Sequence, residues 1–259
     1  MTDAARVTLS WAAAPPRATL VPGAIHAFAF ALDRPAPRVA ALGRLLARDE
    51  VERADRFRLP RDRRRYVVGR ALLRTILGRS LDRDPRELEF RYGAHGKPAL
   101  QEGHHHDRVR FNMSRSHDLG VLAIQLDADL GVDVERIRTF PEALPIAERF
   151  FAPEEHAALR SLPAAQRDVA FWSYWTRKEA VVKSIGLGLA HPMDAFTLAG
   201  PAGAAAERVV VAAAAIALTR WLLPVPPPST GYVAALSTAG SPHPVRCWSW
   251  DDPPGLQGR

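Results

Sequence analysis

The sequence predicts an α+β fold made of two repeated halves. Three observations carry this. Arg56-Phe-Arg-Leu-Pro is echoed by Arg149-Phe-Phe-Ala-Pro; each precedes a helical segment, residues 63–77 and 168–184; and each segment ends at a glycine, Gly78 or Gly186, before apolar strand-like runs. An internal duplication is the economical explanation, with coincidence as the alternative. The boundary then falls near residues 127–129, dividing the chain into 1–127 and 128–259. The cleft between the halves becomes the natural ligand site.

Each element has its own signal. Alternation around Val7, Leu9 and Trp11, then His26, Phe28 and Phe30, predicts short strands up to Leu32. Residues 38–57 read as a helix with Val39, Leu42, Leu45 and Leu46 on one stripe. Pro60 interrupts it. Asp62 is positioned to cap the next helix, which buries Tyr66, Val67, Leu73 and Leu77 and stops at Gly78. Leu88-Glu-Phe-Arg-Tyr is a short strand, and a turn follows around Gly96. Residues 109–114 and 121–126 form a strand pair about a turn at 116–120, and residues 131–137 form another strand. In the second half the strands are Phe196-Thr-Leu, the run after Val209, and residues 232–236. The last nine or so residues read as a loose Pro-rich tail.

Composition narrows the class. The chain has 259 residues, 47% apolar and 24% charged, enough for a core without disulfides. One cysteine, Cys247, excludes a disulfide framework and multi-cysteine metal motifs, and reads as a packed thiol. No targeting signal is visible, and the apolar run at 209–218 is half a membrane span, so the expectation is a cytoplasmic protein that does not engage a membrane. The 35 Lys+Arg against 28 Asp+Glu give +7, which favours an anionic partner.

Two segments carry chemistry. In Gly131-Val-Asp-Val-Glu, strand alternation puts Asp133 and Glu135 on one face and Val132 and Val134 on the other. A divalent cation would relieve the repulsion between the acids; an exposed edge-strand face is the bland alternative. In Phe171-Trp-Ser-Tyr-Trp-Thr-Arg-Lys-Glu-Ala-Val-Val-Lys, Glu179 and Lys183 are i, i+4 neighbours. A surface ion pair is the simple alternative, but the aromatic context makes this helix central, and buried charges need partners. Asp133, Glu135 and Glu179 would make a hard-oxygen site for Mg²⁺, with Lys183 at a reacting oxygen.

At these residues the sequence resembles the 4′-phosphopantetheinyl transferases, of the long, surfactin-synthetase-activating type. The resemblance rests on GVDVE at 131–135 and WTRKEAVVKSIGLGL at 175–189, preceded by Gly96-Lys-Pro and Phe111-Asn-Met-Ser-Arg-Ser, with Arg149-Phe-Phe between. It covers residues 53–196. It implies two pseudo-duplicated α+β halves, each a small antiparallel sheet of three strands on a long helix, acting as a monomer. It also implies a reaction: Mg²⁺-dependent transfer of the phosphopantetheine arm of coenzyme A to a serine of an acidic apo carrier protein, releasing adenosine 3′,5′-bisphosphate.

The resemblance assigns Asp133, Glu135 and Glu179 as metal ligands, and Glu179 and Lys183 as catalytic. It assigns Arg53, Arg65, Tyr92, His95, Gly96, Lys97, Asn112, Ser114, Arg115, Lys178 and Lys183 to coenzyme A. Two positions depart from the family pattern. Residue 115 is usually His and here is Arg, which keeps a charge for phosphate. Glu50 stands where relatives carry a basic residue, for which Arg61, Arg63, Arg64 and Arg65 would compensate. Two other functions remain open. One is a metal-dependent nuclease or nucleic-acid-binding protein using the Arg-rich segment 53–65, against which no recognition module or stacking platform is evident. The other is a non-catalytic carrier-binding protein. His104-His-His106 reads as a solvated loop, since consecutive histidines converge poorly on one ion.

Overall fold

A computed structural model describes residues 10–101, 108–188, 191–200, 206–213 and 216–250. The strand expectation at Val7 and Leu9, the His104–His106 tract and the tail lie outside them. Alternating apolar residues build two sheets. The first contains β1 (Ala12–Ala13), β2 (Ile25–Ala31), β5 (Val109–Ser116) and β6 (Leu119–Leu126), joined by β11 (Val245–Ser249), in the order β1-β11-β2-β6-β5. The second contains β7 (Leu130–Arg136), β8 (Glu207–Ala213), β9 (Ile216–Leu223) and β10 (Tyr232–Thr238), in the order β7-β10-β9-β8. A small hairpin pairs β3 (Phe90–Tyr92) with β4 (Pro98–Leu100). Pairing is antiparallel except at β11, which runs parallel to both β1 and β2.

Six α-helices lie among the described residues: α1 (Ala36–Gly43), α2 (Arg48–Asp55), α3 (Pro60–Leu81), α4 (Ala143–Phe150), α5 (Pro153–Ser161) and α6 (Ala164–Ile185). Each long helix covers one sheet. Leu72, Leu73, Ile76 and Leu77 of α3 pack on Phe28, Phe30, Phe111, Leu122 and Ile124. Phe171, Trp172, Val181 and Val182 of α6 pack on Val209, Val211, Leu222 and Ala235. A third core joins the sheets face to face, with Ile25, Ala27, Val121 and Ala123 against Val132, Val134, Leu223 and Leu236. The period of two sends alternate residues of β2 into different cores, and in β7 it sends Leu130, Val132 and Val134 into the third core and the residues between them to the opposite face. Among the described residues, no helix is long and apolar enough to cross a membrane.

The structure corrects several element expectations. The helix expected at 38–57 divides into α1 and α2. Pro60 opens α3 at its first position, where a missing N–H costs nothing, and Asp62 lies inside the first turn. Gly78 is interior to α3, which ends at Asp82 in the left-handed conformation. A Cβ at Gly78 would lie 2.8 Å from the Arg83 carbonyl oxygen, so the glycine serves a close approach. Phe196-Thr-Leu is not a strand, because Leu198 gives its N–H to Glu155 instead of a ladder.

The repeat is real in a different register. Pro153 opens the short helix α5, whereas Pro60 opens the long helix α3, so the two echoed segments are not counterparts. The counterparts are Glu50 in α2 and Glu155 in α5. Both sit at the third helical position, both are 1% exposed, and each accepts the N–H of the alanine that precedes its helix, Ala47 or Ala152. Each is paired with a cation of the long helix. Glu50 holds Arg70 and Arg74; Glu155 holds Lys178. Arg74 and Lys178 are each the fifteenth residue of a 22-residue helix.

The pairing of β11 with β2 buries two titratable groups, one on each strand. Cys247 is buried, and burial pushes its thiol up to about 12. His26, 1% exposed, accepts a hydrogen bond at Nδ1 from Trp248 Nε1 at 3.1 Å. Burial, reinforced by Arg246, lowers its pKa from 6.5 to about 4. Between those values the unfolded chain binds the proton and the folded chain does not. His26 should therefore cost no stability above pH ~6.5 and remove up to about 3 kcal/mol as pH falls to ~4. Chemical denaturation across this range should show that loss, and His26→Gln should flatten it.

Candidate active site

The site begins with a glycine. A Cβ at Gly131 would lie 2.2 Å from the Ala180 carbonyl oxygen and 2.4 Å from the Ser184 amide nitrogen, both backbone atoms of α6. Strand β7 thus lies directly against the helix. Gly131, Asp133 and Glu135 share the face turned to α6, where Glu179 and Lys183 project at helical spacing. Lys97, from the turn before β4, closes the junction. Its Nζ donates to the carbonyls of Leu130 and Lys183 at 2.9 and 2.8 Å.

These elements line a cavity of about 680 Å³ between the halves. Asp133, 2% exposed, accepts at Oδ1 from Lys183 Nζ at 2.5 Å and from Ser114 Oγ at 2.6 Å. Lys183 also donates to Ser114 Oγ at 3.1 Å. Asp133 Oδ2 is buried without a hydrogen-bond partner among the described residues. Glu135 accepts from Ser116 Oγ at 2.6 Å. Burial raises the pKa of Glu135, and the Asp133 charge adds to this. Burial likewise raises Glu179 to about 7, with Lys183 opposing and Asp133 and Glu135 adding. Three carboxylates thus share one wall and are held near one another at an electrostatic cost. Among the described residues, no three His, Cys, Asp or Glu side chains close around a common point.

Most residues expected at the site do meet there. His95, Gly96, Lys97, Asn112, Ser114, Arg115, Asp133, Glu135, Glu179 and Lys183 all line the cavity. Two are engaged differently from expectation. Lys97 spends its amine on two carbonyls, as above, and burial lowers its pKa. Asn112 Oδ1 accepts the Val132 N–H at 2.9 Å, tying β5 to β7. Arg115 makes no hydrogen bond or ion pair among the described residues; its guanidinium lies 5.5 Å from the Tyr66 ring centre. Gly69 leaves room for it, since a Cβ there would be 3.0 Å from Arg115 Cδ.

Four expected residues lie elsewhere. Lys178 is fully buried, ion-paired to Glu155 at 2.8 Å and bonded to the carbonyls of Met193 and Phe196 at 2.7 Å. It cannot touch a ligand in the cavity: one helical residue turns about 100°, so Lys178 enters the core while Glu179 faces the cleft. Tyr92 accepts from Arg70 at 2.8 Å, outside the cavity lining. Arg65 is forked onto Asp33 at 2.7 and 2.6 Å. Arg53 is exposed, 6.0 Å from the Tyr66 ring that also neighbours Arg115. Glu50 is no weakened phosphate contact; it is the buried partner of Arg70 and Arg74. Sequence reading missed Ser116 and Trp175, although the even spacing of Asn112, Ser114 and Ser116 was a usable signal.

Residues 129–237 match the family model for the 4′-phosphopantetheinyl transferase superfamily, and residues 35–127 match one described as 4′-phosphopantetheinyl transferase, N-terminal. The chain is 34% identical over 241 residues to the 4′-phosphopantetheinyl transferase HetI of Nostoc sp., covering 93% of this chain and 98% of that protein. It is 32% identical to a phosphopantetheinyl transferase of Thraustochytrium sp., covering 71% and 69%. It is 29% identical to the 4′-phosphopantetheinyl transferase Sfp of Bacillus subtilis, covering 57% and 63%.

Two substitutions test this geometry. Gly131→Ala should destabilise the protein by about 1–3 kcal/mol, the cost of overpacking against backbone that cannot yield, and should lower activity by separating β7 from α6. Lys178→Ala should cost about 3–5 kcal/mol in urea unfolding, because Glu155 is left buried and unpaired. A lysine that only contacted ligand would leave the unfolding midpoint unchanged.

Proposed function

The chain belongs to the 4′-phosphopantetheinyl transferase superfamily and is a transferase, and on that premise we propose that it moves phosphopantetheine from coenzyme A to a serine of an apo carrier protein, releasing adenosine 3′,5′-bisphosphate. The observation that carries the reading is the Asp133–Lys183–Ser114 cluster in a cavity walled by three carboxylates. The serine hydroxyl attacks the phosphorus bearing the pantetheine arm. The bond from that phosphorus to the bridging oxygen breaks, the electron pair leaves with the nucleotide phosphate, and the serine proton passes to water.

The donor set suits Mg²⁺, a hard cation that prefers oxygen. Asp133 offers a buried oxygen with no hydrogen-bond partner among the described residues, and cation binding would offset the burial and mutual repulsion that raise Glu135 and Glu179. Asp133, Glu135 and Glu179 would hold the ion, which would supply charge neutralisation at the diphosphate. Lys183 acts as a donor toward charge gathering on diphosphate oxygen, in keeping with its donation to Asp133 and Ser114. Arg115, with no anionic partner among the described residues, takes a phosphate of the nucleotide in place of the family's usual His. Lys97 holds the cleft together from the β3–β4 side.

Both halves line the cavity within one chain, which supports a monomer as the working unit. The +7 charge supports an acidic carrier as the partner. The test is mass spectrometry of apo carrier proteins incubated with coenzyme A and Mg²⁺. Covalent gain of the phosphopantetheine mass is expected, and no gain on any member of a broad carrier panel would overturn the reading. Lys183→Ala should lower kcat by about 10²–10⁴-fold with little change in coenzyme A binding; a change in KM alone would reduce Lys183 to a binding group.

A further inference from the structure

We propose that Ser116 is the positioning residue for Glu135, fixing how that carboxylate is presented to the cavity. The proposal rests on the reading of Glu135 as a Mg²⁺ ligand. Ser116 ends β5 and is buried. Its Oγ accepts the Arg136 backbone N–H at 3.1 Å and lies 2.6 Å from Glu135 Oε2. An amide can only donate, so the hydroxyl accepts there, and its single proton goes to the carboxylate. A short bond to an ionised acceptor is among the stronger hydrogen bonds. Both capacities of the hydroxyl that the structure uses are thus committed to β7.

Glu135 has a competing partner. Arg138 Nη1 lies 3.9 Å from the same Oε2, beyond hydrogen-bond range, and its guanidinium rests 3.9 Å from the centre of the Trp172 ring. Ser116 holds the carboxylate while leaving its charge intact. Arg138 would hold it as firmly and cancel that charge. Without the serine proton, the stacking on Trp172 and the 3.4 Å bond from Nη1 to the Arg136 carbonyl are what hold Arg138 back from closing that gap, and a guanidinium-paired carboxylate is a poor ligand for a divalent cation. The same device recurs two residues earlier, where Ser114 donates to Asp133 at 2.6 Å.

The test uses Mn²⁺ as the probe, its affinity for metal-stripped full-length protein measured by electron paramagnetic resonance without coenzyme A. Ser116→Ala should weaken Mn²⁺ binding by about 10–100-fold, the usual cost of losing a group that orients a ligand. Ser116→Cys, which keeps the volume but donates poorly, should reproduce the loss if Ser116→Ala does not fold. Ser116→Thr should retain affinity. Adding Arg138→Gln to Ser116→Ala should restore part of it. In a Glu135→Ala background, Ser116→Ala should add little. Unchanged affinity in Ser116→Ala overturns the proposal, as does an equal further loss in the Glu135→Ala background. A wild-type protein that binds no Mn²⁺ overturns the metal reading of Glu135 and this proposal with it, whatever the carrier assay shows.

Discussion

The site depends on one close approach, that of β7 to the backbone of α6 at Gly131. A strand and a helix ordinarily stand apart by the thickness of the side chains between them. Here one residue has no side chain, and the strand backbone rests on the helix at Ala180 and Ser184. That contact sets Asp133 within 2.5 Å of Lys183. It also exposes the Leu130 and Lys183 carbonyls to a common donor, the role Lys97 fills. Lys183 lies in the last turn of α6, whose carbonyls lack helical partners, so the bond answers a need of the helix as well as of the site.

The second constraint is how the two sheets meet. β5 is the edge of the first sheet and β7 the edge of the second. Left open, both would present unpaired backbone groups. They are joined through side chains: Asn112 takes the Val132 N–H, Ser114 bonds Asp133, and Ser116 bonds both Glu135 and Arg136. A backbone ladder would have drawn the edges together and excluded a cleft. Short polar side chains satisfy the edge and keep the carboxylates ionisable beside it. The two halves share a buried acid–cation lock, Glu50 with Arg74 and Glu155 with Lys178, so the scaffold is duplicated. Glu179 and Lys183, the carboxylate and amine of the second long helix, have Thr75 and Arg79 as positional counterparts in the first.

Much of this was legible in the sequence. Alternation in Gly131–Glu135 correctly separates acids from valines, and the i, i+4 spacing correctly puts Glu179 and Lys183 on one face, the one that lines the cavity. What was not legible has identifiable causes. Lys178 and Glu179 are adjacent in the chain but turned apart on the helix, and only packing against Glu155 decides which enters the core. Lys97 looks like a phosphate contact until the Leu130 and Lys183 carbonyls are placed beside it by long-range folding. Ser116 closes the Phe111–Ser116 motif with no role of its own legible there; its meaning comes from a strand that is its neighbour only through the sheet edges. The echo of Arg56–Pro60 in Arg149–Pro153 reflects a shared preference for proline at a helix start, while the true repeat, alanine followed three residues later by a buried glutamate, is too short to stand out.

The placement of β11 has a consequence for how the molecule is made. It lies between β1 and β2 in the first sheet, and His26 and Trp248, which bond across that pairing, are 222 residues apart. At ribosomal speeds of 5–20 residues per second, β2 emerges roughly 10–45 s before its neighbour exists. Through that interval the first half can seat α3 on β2, β5 and β6, but one flank of β2 stays open as a template for wrong pairing. Completion of the first half therefore waits for β11, the last strand described. A newly made chain passes through a state in which the second half can be complete while the first still awaits its closing strand.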